Sequence, residues 1–494
     1  MIHKSTFELL LEQKPHFNRT LDRIDRYGFY ADNSVMGCGK TYVACSVAKK
    51  LGLDLFIVCP LTVHSNWEEV AYKADLEIVH LTTPQSLASR RNLQPKHGYL
   101  RRKEGKGTKG TPSFYPTPKL KKLVGQGILF VFDEIQYARN INTYFLASKA
   151  LVKSVGLFES VVTPSKCAFI STTPFDVDYK CAHLLSLINL IKATNIKTRS
   201  GTIRRSAITD LQEFFKKESL DTSEIPLLHD EIYECFLERL QPLFFTSMPL
   251  ILEQECDIRN GFYLMKHKKD KKAIVNAVSE LNSIFIRIDP ETRTIPIVVI
   301  KRIRLACMKI EKAKIPLFTR LIKEELKDKK RKVVICVHFR DTISQLKERL
   351  SRYKPLVLHG GIRKGRKQII EKFQEPTTAH RLLICNIRVG GVGISLHDLD
   401  GSYPRTMFIS PDHNVTDIFQ ATGRINRVGG QSDSKIRVVY ANIEICERSI
   451  LNSIARKMKT IKETLDKQVK DVLKSPLDFE DYIEGGKKHF IVKK

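Results

Sequence analysis

Short apolar runs rich in β-branched residues punctuate both ends of the chain. In the first third they are Leu55–Cys59 (LFIVC), Ile78–Leu81 (IVHL), Ile128–Phe132 (ILFVF) and Ala168–Ile170 (AFI). In the last third they are Val333–Val337 (VVICV), Leu356–His359 (LVLH), Leu382–Cys385 (LLIC), Met407–Ser410 (MFIS) and Ile436–Tyr440 (IRVVY). Uninterrupted apolar runs of this length predict strands covered on both faces, the habit of parallel sheets in α/β proteins. Helical spacings lie between them. Val43, Ala44, Val47, Ala48 and Leu51 form one apolar face, and Ile343–Leu350 and Ile369–Phe373 form others.

The pattern changes between about Leu184 and Leu326, where helix-like segments such as ITDLQEFFKKESL and LHDEIYECFLERLQPLF dominate. The expected organisation is therefore an α/β lobe over 1–183, a helical insertion over 184–315, a second α/β lobe over 316–454 and a helical tail over 455–494 that frays at its end. The stretch 88–122, with Gly105, Gly107, Gly110 and several prolines, predicts an exposed loop or hairpin. No repeat of fixed period is present.

Charge narrows the partners. Lys and Arg number 83 against 54 Asp and Glu, a net charge of +29. Such an excess suits a polyanion, which gains affinity by releasing condensed counterions. None of the 11 cysteines forms a C-x-x-C pair, so neither a zinc ligand set nor a disulfide framework is expected. A reducing, intracellular setting fits them best, nucleus or cytoplasm. The N-terminal stretch MIHKSTFELLLEQ does not read as a signal peptide, and no apolar run reaches the ~18 residues of a membrane span.

Two motifs carry chemistry. Ser34–Thr41 reads SVMGCGKT, follows the apolar patch Gly28–Ala31 and opens the helical pattern at 42–51. That context is what a phosphate loop needs: Gly37 and Gly39 let the backbone N–H groups of Ser34, Cys38 and their neighbours wrap phosphate oxygens at a helix N-terminus. Lys40 would reach the β- and γ-phosphates of ATP, and Thr41 would be a Mg²⁺ ligand. Ser34 stands where the usual pattern has Gly. The second motif is Ile128–Gln136, ILFVFDEIQ, a hydrophobic strand ending in two acids. Asp133 would hold Mg²⁺, Glu134 would orient and deprotonate the attacking water, and Gln136 would link the site to the second lobe. Trp67 is expected to be a packing residue.

With four further segments these motifs resemble superfamily 2 helicases, most closely the Swi/Snf-type translocase branch. Ser171-Thr172-Thr173-Pro174-Phe175 matches that family's S-x-T-P segment, and Cys59-Pro60-Leu61 through Trp67-Glu68-Glu69 is similar to its motif after the second strand. Gly390-Gly391-Val392-Gly393-Ile394-Ser395-Leu396 resembles its Gly-rich second-lobe motif, with Gly393 at the nucleotide. Gln420, Gly423, Arg424 and Arg427 match its last motif, Q-x-x-G-R-x-x-R, and their spacing predicts one shared helical face. The box is DEIQ rather than DEAH, which leaves the subfamily open. Gln13, in the helix-like FELLLEQ, is the candidate adenine reader.

The resemblance implies two RecA-like lobes of P-loop NTPase fold that bind ATP in the cleft between them, with Arg424 and Arg427 as transition-state arginines. It implies a nucleic-acid motor, either a strand-separating helicase or a duplex translocase. The alternatives are a non-unwinding remodelling ATPase acting in transcription and an RNA helicase. Candidate strand contacts by motif match are Pro60, Thr62, His64, Thr83, His338, Arg340, Gly360 and Asn386. Such contacts would grip phosphates, of DNA rather than RNA, largely without reading sequence. Transcription or replication machinery would be the natural setting, and the chain's brevity suits a large DNA virus. The sharpest basic feature is 88–122, where Arg90, Arg91, Lys96, Arg101, Arg102, Lys103, Lys106, Lys109, Lys119, Lys121 and Lys122 face one acid, Glu104, with Tyr99, Phe114 and Tyr115 interleaved. Basic side chains there would track phosphates and the aromatics would stack on bases.

Overall fold

The computed structural model describes residues 7–105, 110–138, 141–158, 163–174, 176–177, 180–192, 208–220, 229–248, 254–286, 297–362, 365–390, 394–443, 447–463 and 481–484. The chain divides into two compact units, Met1–Pro249 with Thr460–Val472 and Leu250–Lys459 with Leu473–Lys494.

The first unit is built on six parallel strands: β1 (Phe29–Asp32), β2 (Asp54–Val58), β3 (Ile78–Thr82), and, beyond a small hairpin of β4 (Leu100–Lys103) and β5 (Ser113–Pro116), β6 (Ile128–Asp133), β7 (Lys166–Ile170) and β8 (Phe245–Thr246). Their order is β3-β2-β6-β7-β1-β8. The apolar runs end up inside because helices cover both faces. Phe56, Phe130 and Phe169 are buried in one core with Leu120, Phe145 and Leu151. Six helices matter here: α1 (Lys14–Tyr27), α2 (Lys40–Leu51), α3 (His64–Ala74), α4 (Pro84–Ala88), α5 (Pro118–Val124) and α6 (Thr143–Val155).

Among its described residues the second unit holds seven parallel strands: β9 (Cys256–Tyr263), β10 (Lys332–Val337), β11 (Leu356–Leu358), β12 (Leu382–Asn386), β13 (Arg405–Ile409), β14 (Ser434–Ala441) and β15 (Asp481–Ile483). Their order is β11-β12-β10-β13-β14-β9-β15. Two parallel-sheet α/β lobes are thus what the apolar runs foretold, and all nine runs lie on strands.

The expected helical insertion is not one body. Its residues divide between the two units: β8 joins the first sheet and β9 the second. β9 carries no continuous apolar run, because Asp257, Arg259 and Asn260 interrupt CDIRNGFY; Phe262 and Tyr263 are buried while Asp257–Arg259 are half-exposed. The tail likewise differs from a fraying end, since Asp481–Ile483 pairs with Asn260–Phe262 of β9 and Glu484 accepts from Arg320 and from the Leu264 N–H.

Candidate nucleotide site

In a parallel sheet, ligand groups collect beyond the C-terminal ends of the strands, where helix N-termini point. Ser34–Thr41 leaves the end of β1 and runs into α2. Gly37 and Gly39 sit at φ 85° and 90°, a region costly for any residue with a Cβ. A Cβ on Gly39 would come within 2.2 Å of Gln13 Nε2. Gln13 is only 6% exposed and donates to Cys38 O at 2.9 Å, so it lies on the loop itself. Lys40 Nζ donates to Ser34 O (2.8 Å), Val35 O (3.1 Å) and Thr172 Oγ1 (3.0 Å). The Cys38 thiol is buried and pushed up to about 11 by that burial.

The loop rests on groups that sequence reasoning passed over. Asp32 Oδ1 accepts from Ser34 N at 2.9 Å, and His16 Nε2 meets Asp32 Oδ2 at 3.1 Å. His16 Nδ1 is 2.7 Å from Thr246 Oγ1. Burial alone would raise the Asp32 carboxyl, but His16, Lys40 and the Ser34 N–H hold it below its ordinary value. Ser34 Oγ accepts from Met248 N at 2.8 Å, so the chain around β8 clamps the loop from the far side. No local pattern marks His16 or Met248, which are brought in only by the fold.

The acidic strand end lies on the same sheet edge. Asp133 closes β6, and Glu134 follows with φ 58°, in the left-handed region. Asp133 is raised to about 7, first by burial and then by the neighbouring Glu134 charge. Trp67 Nε1 donates to Asp133 Oδ2 at 2.9 Å. Trp67 therefore packs, at 0% exposure, and also holds the carboxylate. Within the first unit, Gln136 bonds two neighbours of the acidic strand end. Its amide nitrogen donates to Glu134 Oε2, and its Oε1 accepts from Ser171 Oγ at 2.6 Å. Ser171 Oγ in turn accepts from Thr173 N at 3.0 Å. Asn66 Nδ2 donates to Thr41 Oγ1 at 3.3 Å.

These donors fit a nucleotide's phosphates: an ammonium, a glycine-permitted loop and the N-terminus of a 12-residue helix converge there. Thr41 and Asp133 offer hard oxygens, the chemistry a hard divalent cation requires.

In the second unit, Gln420 is buried on the helix Val415–Thr422. The helix ends there, so Gly423, Arg424 and Arg427 lie in the turns that follow and do not share its face. The two arginines are brought together differently: both donate to Ile394 O at 3.3 Å, and Arg427 also to Ser395 Oγ at 2.8 Å. Gly393 and Phe175 lie outside the described residues. The strand-contact candidates follow strand ends in both units. Pro60 lies past β2, Thr83 past β3 and His338 past β10, while Asn386 closes β12. Asn386 Nδ2 donates to His338 O at 2.7 Å.

Residues 313–429 match the family described as Helicase conserved C-terminal domain. A protein of Acanthamoeba polyphaga mimivirus named as an ATP-dependent RNA helicase is 24% identical over 478 residues, covering 93% of this chain and 84% of that protein. Among solved structures, the Sulfolobus solfataricus SWI2/SNF2 ATPase core in complex with dsDNA is 17% identical with a TM-score of 0.31, covering 96% of this chain and 99% of that one. The C-terminal part of the Fun30 ATPase domain is 17% identical with a TM-score of 0.31, over 47% of this chain and 95% of that one. A helicase C-terminal domain in one unit, with a phosphate loop and acidic strand end in the other, defines a helicase-type ATPase. The chain is an ATP-dependent nucleic-acid motor of the helicase type.

Proposed function

We propose that this protein uses Mg²⁺ and ATP to move along DNA, remodelling what is bound there. The observation that carries the reading is the convergence on one sheet edge of the Lys40 ammonium, the Gly37–Gly39 loop and the Asp133–Glu134 pair. Lys40 would neutralise phosphate charge when it leaves Ser34 O and Val35 O. Thr41 and Asp133 would hold the Mg²⁺, which supplies further neutralisation of phosphate charge. Glu134, positioned by Gln136, would orient the attacking water and accept its proton. Arg424 and Arg427 are the transition-state arginines that the motif resemblance implies, a role that contributes roughly 10³–10⁵ in rate.

The DNA preference follows from the Swi/Snf-like motif set. A second reading, an RNA helicase, is favoured by the name of the mimivirus relative. Steady-state ATP hydrolysis with no nucleic acid, duplex DNA, single-stranded DNA and single-stranded RNA decides between them, with Lys40→Ala as blank. The expected result is stimulation by duplex DNA, abolished in Lys40→Ala and in Glu134→Gln. Stimulation by RNA alone would establish the second reading, and full activity in either variant would overturn both.

A further inference from the structure

Of the exposed loop or hairpin expected over 88–122, the hairpin is what forms, β4 pairing antiparallel with β5, and it is a built platform. Leu100, Arg102 and Phe114 point inward and are buried, while Arg101, Lys103, Ser113 and Tyr115 alternate outward. Arg102 is no phosphate contact: its guanidinium donates to Ala88 O (3.0 Å), Ser89 O (2.8 Å) and Glu104 Oε1 (2.7 Å). The Gln94 side chain bonds both the N–H and the C=O of Arg102, at 3.0 and 2.8 Å, like an extra strand on the hairpin edge. Tyr99 and Phe114 belong to the core and cannot meet a ligand. Tyr115 can, at 47% exposure.

Register places Arg101 directly opposite Tyr115, and Lys103 opposite Ser113. Directly opposed side chains on one face are ~4.5–5.5 Å apart at Cβ. Among the described residues, the side chains of Arg101, Lys103 and Tyr115 have no ion pair and no hydrogen bond. The segment's one acid, Glu104, is already taken by Arg102 and the Asn92 N–H. A fixed surface therefore presents an open aromatic ring flanked by uncompensated cations, next to the exposed Lys121 and Lys122 of α5.

We infer that the outward face of the β4–β5 hairpin is a contact for single-stranded nucleic acid, taking a base on Tyr115 and flanking phosphates on Arg101 and Lys103. This rests on the motor reading above and adds a second grip, separate from the strand-end candidates. An unpaired base offers its ring face to an aromatic side chain; a base inside a duplex does not. The hairpin thus favours single strands, although the motor itself is expected to be driven by duplex.

The test is fluorescence anisotropy of a labelled oligothymidylate and a labelled duplex of equal length, using the full chain over a range of salt. Tyr115→Ala should weaken single-strand binding roughly 5- to 150-fold and leave duplex binding unchanged. Arg101→Ala/Lys103→Ala should flatten the slope of log K against log salt by about 0.7 per lost phosphate contact. Basal ATP hydrolysis, measured without nucleic acid, should match wild type in both variants, showing that they fold. If wild type binds neither oligonucleotide, the motor reading itself fails. If wild type binds and both variants bind equally well, the motor reading stands and the hairpin contact is wrong. Loss in the basic pair with none in Tyr115→Ala would mean polyanion attraction only and would also overturn the proposal.

Discussion

Gln136 is the residue on which the acidic strand end turns. Glu134 sits in a backbone region that costs of order 1–3 kcal/mol for a residue with a side chain, so its carboxylate needs external support. Gln136 gives it that support and ties it to Ser171 of the S-T-T-P segment. Gln136→Ala removes both links. Because misplacing a reacting group by about 1 Å can cost 10²-fold, kcat for ATP should fall by roughly that factor while KM changes little. Rapid-quench turnover at saturating ATP reads this directly, and an unchanged kcat would count against the positioning role. The phosphate loop and the acid pair were legible in sequence because backbone geometry and charge dictate their residue types locally. Trp67's hydrogen bond was not, since it joins positions 66 residues apart and depends on how α3 lies against the end of β6. His16 escaped for the same reason: its partners Asp32 and Thr246 are 16 and 230 residues away.

Elements were readable where burial on both faces wrote a continuous apolar run. Strands that sit at or near a sheet edge, such as β9 and β15, carry no such run, and their register comes from β14 and from each other. The last motif was misread at this scale as well. Spacings of three and four suggest a helix, yet the helix stops at Thr422, and the arginines are gathered instead by a carbonyl of the Gly-rich segment's end. One ion pair holds several elements of the second unit. Lys314 Nζ lies 2.6 Å from Glu447 Oε1, both fully buried, and donates to Val439 O of β14 at 3.1 Å. Removing one member of a buried pair strands the other and typically costs about 3–5 kcal/mol. Lys314→Ala should therefore lower the thermal midpoint of the second unit by several degrees, monitored by hydrogen exchange in β14; an unchanged midpoint would show the pair to be dispensable.

For the whole molecule, acid should loosen both units. His80 in the first unit and His397 and His413 in the second are each depressed to about 4, in every case mainly by burial. An unfolded chain takes up these protons near the ordinary value of 6.5, and the folded one only near 4. Their contribution to stability is therefore complete above about pH 6.5 and is lost as pH falls toward about 4. Urea midpoints for both units should drop across that window; a midpoint that rose on acidification would contradict the neutral, buried state of these rings. The chain also carries just one tryptophan, and it is the indole hydrogen-bonded to Asp133. Its ultraviolet emission is consequently the light of a single, known position, with no second indole to dilute it. Whatever alters the electrostatics at that carboxylate alters the colour and yield of the whole protein's glow, so the unlabelled molecule comes with its own optical gauge of the strand end where catalysis is expected.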